Sequence, residues 1–202
     1  MTTICEKVND IEEFYNAFSS EYDDTVLSKE CDYRHIHETK KIFSRHQITD
    51  GEILDLGCGT GLLKESLGSK FKYTGIDISR NMLSLAKKRG YRTVHSSLEQ
   101  ALPNLADNTF DYCICLSALF LIQNAEQAIF HMKRVSRKGV IISLDELPEE
   151  YIQQVPCPAF DHTLMRAENT KDDYFFLGWT SPTLDIPIRT RIMHFGTQQL
   201  KH

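Results

Sequence analysis

The residues of this chain whose types and spacing could do chemistry together lie first in the stretch Ile53–Leu63, "ILDLGCGTGLL". There Gly57, Gly59 and Gly61 alternate with Cys58 and Thr60, and Asp55 stands just ahead of them. Glycine adopts backbone torsions closed to other residues and lets a ligand touch the main chain. A helix opening near Thr60 would add free N–H groups for polar or anionic ligand atoms. Past the loop by about 20 residues, in "TGIDIS", Asp77 is predicted at the end of a second strand, where a carboxylate accepts from both hydroxyls of a ribose. Ile78 and Met82 follow and can cover the face of an adenine, although Met82 suits the core packing of its own helix equally well.

The spacing discriminates between nucleotides. A dinucleotide turn asks for Gly or Ala at the sixth position of GxGxxG, and here that position is Leu62, so a pyrophosphate is disfavoured. No Gly-Lys-Ser/Thr follows the loop, which removes the P-loop reading. What remains is an adenosine carrying a chain without phosphate.

These residues need elements to hold them. The strands "GEILDLG", "KYTGID", "YRTVHSS", "TFDYCICLS" and "KGVIISLDE" alternate with the helices "TGLLKESLG", "SRNMLSLAKKRG" and "NAEQAIFHMKRVS". Parallel neighbours require crossovers of this length, so the pattern predicts a doubly wound α/β fold, a mostly parallel sheet with helices on both faces. Ahead of it, "NDIEEFYNAFSSEYDD" sets Ile11, Phe14, Tyr15 and Phe18 at helical spacing, predicting one short helix, and a second is predicted from Asp32 to His46. Behind it, "DYFFLGW" and "IPIRTRIMHF", separated by Ser181 and Pro182, predict an antiparallel C-terminal hairpin. The chain reads as one domain: a helical arm or lid over 1–50, a ligand-binding core over 51–146 and a substrate-side tail over 147–202.

Composition narrows the class. The 202 residues are 41% hydrophobic and carry a formal charge of −5, which suits one globular domain and gives no overall attraction to nucleic acid. The acidic start lacks the basic and apolar runs of a secretory signal, and no apolar stretch reaches membrane-spanning length, so a cytoplasmic protein without a membrane role is expected. The six cysteines are scattered without CxxC pairs and are expected as thiols. His35 and His37, two apart on a helix, point in different directions, so no metal site is expected and both read as solvated or partly packed. Pro156 and Pro158 in "VPCPAF" read as a rigid connection that could wall a substrate site, and Asp145 and Glu146, closing a strand, as groups for a cationic or hydroxylated acceptor.

Taken in order, "ILDLGCGTGLL", "TGIDIS", "NMLSLAKKRG", "LPNLADNTFDYCICLSALFLI" and "RKGVIISLDE" resemble the Rossmann-like, class I S-adenosylmethionine-dependent methyltransferases of the small-molecule type. The resemblance covers roughly Tyr22 to Asp145 and implies a seven-stranded sheet whose last strand is antiparallel. It implies that Asp55 and the glycines Gly57, Gly59 and Gly61 hold the methionine end, with Cys58 as a small side chain inside that cofactor loop, that Asp77 binds the ribose, and that Leu116 and Ser117 border the sulfonium. The family's acidic adenine contact at the third strand falls here on Ser97, followed by Leu98 and Glu99, so either Ser97 or Glu99 reads the adenine. "FSSEYDD" resembles the family's Tyr-Asp element, making Tyr22 the first candidate for a lid over the cofactor and Tyr15 the second.

S-adenosylmethionine is thus the implied cofactor and S-adenosylhomocysteine its product. A sulfonium is already an activated donor, so in-line positioning supplies most of the catalysis and no obligatory base is singled out. The apolar "CLSALF" stands where nitrogen-directed enzymes carry a DPPY-type sequence, which suggests an apolar small-molecule acceptor. A protein that binds the cofactor without turnover is the alternative.

Overall fold

The structure is a computed structural model that describes residues 11–29, 31–146, 174–180 and 187–196. Pro156, Pro158 and the turn at Ser181 and Pro182 lie outside the described residues. The helices are α1 (Ile11–Phe18), α2 (Tyr22–Lys29), α3 (Cys31–Arg45), α4 (Leu62–Leu67), α5 (Arg80–Lys88), α6 (Leu98–Ala101) and α7 (Ala125–Val135). The strands are β1 (Gly51–Leu56), β2 (Phe71–Asp77), β3 (Arg92–His95), β4 (Phe110–Cys115), β5 (Ser136–Glu146), β6 (Tyr174–Thr180) and β7 (Pro187–Gly196).

The strands form one mixed sheet in the order β3-β2-β1-β4-β5-β7-β6. The five from β1 to β5 run parallel, while β7 inserts antiparallel between β5 and β6. The order reverses beside β1, and in such sheets a ligand lies beyond the carboxyl ends at that point. Both faces are covered, as a sheet rich in parallel pairs requires. Because successive side chains alternate between faces, Ile53, Ile114, Ile141 and Ile192 pack with Leu62 and Leu83 on one side. Leu54, Leu56, Cys113, Cys115, Ile142 and Met193 pack with Met132 and Val135 of α7 on the other.

Three boundaries depart from the sequence expectation. The single N-terminal helix is two, α1 and α2, with Ser19, Ser20 and Glu21 between them; the Ser19 hydroxyl donates to the carbonyl of Asn16 and ends α1 there. The third strand stops at His95, because the Ser97 hydroxyl accepts from the N–H of Gln100 and caps the short helix α6. The helix after the glycine loop begins at Leu62 and not near Thr60, since Gly61 is still left-handed at φ 84°. Asp145 and Glu146 do end β5, paired with Thr190 and Arg189 of β7.

Candidate functional site

The carboxyl ends of β1, β2 and β4 open into a cavity of about 200 Å³ roofed by α1 and α2. Of the residues expected to form a site, Tyr22, Asp55, Gly57, Cys58, Gly59, Asp77, Ile78, Met82, Ser97, Leu98, Glu99, Leu116 and Ser117 all line it. Gly61 does not. Tyr15, the second lid candidate, is also in the wall.

The glycines of the loop are bare for different reasons. Gly57 is left-handed at φ 64°, and a Cβ there would sit 2.6 Å from the Cβ of Ala118. At Gly61 a Cβ would come within 2.8 Å of the Tyr91 ring, so this glycine seats a buried aromatic behind the loop. Gly59 alone of the three would take a Cβ without a clash: the nearest atom is a Tyr22 ring carbon at 3.8 Å, an ordinary contact. Only there does the missing side chain leave room beside the cavity.

Asp77 is fixed by the loop it faces. One carboxylate oxygen accepts the N–H of Gly59 and the other that of Ser79, both at 2.8 Å. Burial raises its proton affinity, opposed by these N–H donors. Asp55 is 5% exposed and accepts from the Tyr91 hydroxyl at 2.9 Å. Burial drives its pKa up to about 7, the Tyr91 hydrogen bond opposes this and the nearby Asp77 charge adds to it. The cavity thus carries two carboxylates held at the lip of one loop.

At the exit of β3, the Glu99 carboxylate accepts the N–H of Gln123 at 3.2 Å, while the Ser97 hydroxyl is engaged with Gln100. At the exit of β4, Ser117 is left-handed at φ 52°, a conformation that costs a non-glycine residue energy and is concentrated at functional sites. Its N–H donates to the Ser143 hydroxyl at 2.6 Å, and its own hydroxyl is buried without a partner among the described residues.

The arm is tied to the core by polar groups on the rim. Asn16 accepts from the Ser79 hydroxyl at 2.8 Å and from the Asn81 N–H at 3.1 Å. Asp23 takes the Thr60 hydroxyl and the Arg89 guanidinium, each at 2.5 Å. Inside, Phe14, Phe18, Val26 and Ile36 make the wall on the arm side apolar.

Three contributors escaped the sequence reading. His35, expected to be solvated or partly packed, is 1% exposed and lies in the cavity wall with Ile36. Its neighbours Ile36, Thr39 and Ile42 are also buried, a helical stripe in which His35 could have been placed from spacing alone. His37 is exposed, as the two-residue separation implies. Tyr91 and Thr60 were missed because each acts through another group, Tyr91 on Asp55 and Thr60 on Asp23.

Residues 54–144 match the family described as the methyltransferase domain. The chain is 29% identical to a phosphatidylethanolamine N-methyltransferase of Cereibacter sphaeroides over 138 residues, 65% of this chain and 64% of that protein. It is 36% identical to a demethylmenaquinone methyltransferase of Lactococcus lactis over 89 residues, 41% of this chain and 35% of that one. The chain therefore spans less than two thirds of the length of these curated relatives. Among solved structures, an S-adenosylmethionine-dependent methyltransferase of Thermotoga maritima superposes with a TM-score of 0.61 at 16% identity, covering 93% of this chain and all 100% of the other. Magnesium protoporphyrin IX methyltransferase of Synechocystis, solved with bound S-adenosylhomocysteine, gives 0.61 at 16% identity over 90% of this chain and 96% of that one. The sheet order agrees with that of a doubly wound fold, and over residues 54–144 the chain is similar to the methyltransferase domain family.

Proposed function

We propose that this chain is an S-adenosylmethionine-dependent methyltransferase whose acceptor is a small, largely apolar molecule. The observation that carries the reading is the pair of buried carboxylates, Asp55 and Asp77, facing one cavity on either side of a glycine loop that is open at Gly59. A ribose fits Asp77, whose two oxygens are already aimed by backbone donors and keep lone pairs for the sugar hydroxyls. An ammonium fits Asp55, a carboxylate otherwise costly to bury. An adenine amino group needs an acceptor, and Glu99 suits it better than Ser97, whose hydroxyl oxygen already accepts from its helix.

When bound, the cofactor supplies a methyl group activated by its positive sulfur. The chain's own work is then to hold an acceptor in line and keep water away, and orientation of this kind can lower a barrier by about 7 kcal/mol or more. Tyr22, over Gly59, closes the cofactor side, while Leu116 and Ser117 face the place where the methyl would leave. The apolar arm wall favours an acceptor of the same character, as in the lipid and quinone-type relatives named above, and the small-molecule character of the substrate rests on that comparison. Incubation with methyl-labelled donor and a fractionated metabolite pool tests this: label should pass into an organic-soluble small molecule with S-adenosylhomocysteine formed in equal amount. Cofactor binding without any such transfer would instead favour the non-catalytic binding protein.

A further inference from the structure

Tyr91 is not in the cavity wall, yet its hydroxyl donates to a carboxylate that is. Gly90, left-handed at φ 85°, turns the chain after α5, and the Tyr91 N–H closes that turn on the carbonyl of Ala86 at 3.1 Å. The ring then enters a slot that two glycines leave empty. A Cβ at Gly61 would stand 2.8 Å from it, and one at Gly75 would stand 2.9 Å from it. Tyr73 packs on the ring at a centroid distance of 5.0 Å. Gly75 is the β2 partner of Asp55 in the sheet register, so the slot ends at that carboxylate. A ring this confined, 4% exposed, delivers its hydroxyl to one place, the Asp55 carboxylate at 2.9 Å.

We propose that Tyr91 is a positioning residue of the cofactor site: its hydroxyl holds the Asp55 carboxylate aimed at the ammonium of the methionine chain. The inference rests on the cofactor reading above. Asp55 is the member of the pair that reaches the cavity, and Tyr91 acts only through it. Around Asp55 stand Tyr91 and Tyr73, the carboxylate of Asp77 and the thiols of Cys58 and Cys113; none of these is a cation. Burial and the Asp77 charge favour the protonated carboxyl, and the hydroxyl of Tyr91 is the side-chain donor that opposes them. A carboxyl that took up a proton would meet the ammonium as a neutral group, so donor and product affinity should fall as the pH drops through the titration of Asp55.

The test compares the wild-type chain with Tyr91→Phe, which keeps the ring in its slot and removes one oxygen. The titration of Asp55 is followed by its carboxyl ¹³C shift without ligand, and S-adenosylhomocysteine affinity is measured by calorimetry from pH 5.5 to 8. The variant should titrate about one unit higher, which corresponds to about tenfold weaker product binding on the acid limb. In an Asp55→Asn background the same replacement should change affinity little. An unmoved ¹³C midpoint, or an equal loss of affinity in both backgrounds, overturns the inference, the second outcome leaving Tyr91 a packing residue. If Tyr91→Phe does not fold, the wild-type Tyr91 hydroxyl proton decides: slowed exchange and a shift that follows the Asp55 titration are expected, and a freely exchanging hydroxyl that ignores it overturns the inference. A wild-type chain that titrates as expected but ignores the product refutes the cofactor reading and, with it, the role of the pair.

Discussion

The Asp77 carboxylate accepts the N–H of Gly59 at 2.8 Å, so the acid that ends β2 and the most open residue of the glycine loop form one unit. Replacing the acid removes the proposed ribose contact and unties the loop at once. Asp77→Ala should weaken S-adenosylhomocysteine binding by about 1–3 kcal/mol, roughly five- to 150-fold, the worth of charge-assisted hydrogen bonds. Calorimetry on the folded variant measures this, and an unchanged affinity would remove Asp77 from the ribose.

Ser97 and Glu99 separate cleanly by what they already hold. Ser97→Ala deletes the cap of α6 and should cost about 0.5–2 kcal/mol of stability in denaturant, with little effect on ligand affinity. Glu99→Gln should show the reverse, a several-fold loss of affinity for the adenosyl ligand with the melting temperature nearly unchanged. Matching effects in the two variants would mean that neither residue reads the adenine selectively.

The loop glycines should respond according to what stands over each. Gly61→Ala forces a side chain against the Tyr91 ring in a left-handed conformation and should destabilise the free protein by about 1–3 kcal/mol. Gly59→Ala meets only the Tyr22 ring, at an ordinary contact distance of 3.8 Å, so its stability cost is confined to backbone strain of about 1–2 kcal/mol, while its methyl enters the space beside Tyr22 and weakens product binding. Thermal melts and titrations of the two variants, run side by side, distinguish the positions.

Asp55 makes stability depend on pH. Its pKa, near 7 in the folded chain, lies above the ordinary carboxylate value of 3.8, so folding takes up a proton between those values. The folded state therefore loses stability as pH rises from about 4 to 7, the sign expected when the native state binds more protons than the unfolded one. Relative to Asp55→Asn, the ligand-free wild type should melt at progressively lower temperature across that window and level off above it. A melting difference that does not vary with pH would contradict the burial argument.

The arrangement of the core was legible in the sequence because its signals are local. The run "ILDL" before three glycines, and Asp77 at the close of "TGID", place a turn and a carboxylate at one sheet end through strand parity alone. The residues that escaped are those whose role comes from long-range packing. Gly61 looks like a ligand glycine until Tyr91, 30 positions later, is seen in its place. His35 looks like one of two loosely spaced histidines until α3 turns it into the cavity wall. The arm divided where the Ser19 hydroxyl competes with the helix, a local event that hydrophobic spacing does not register.

The most direct measurement is calorimetric titration of the purified, folded chain with S-adenosylhomocysteine at pH 8, where Asp55 is ionised. One molecule should bind per chain with micromolar or tighter affinity, and the signal should fall sharply in Asp77→Ala. Absence of any heat at millimolar product, with folding verified, would contradict the assignment of this cavity to an adenosyl cofactor.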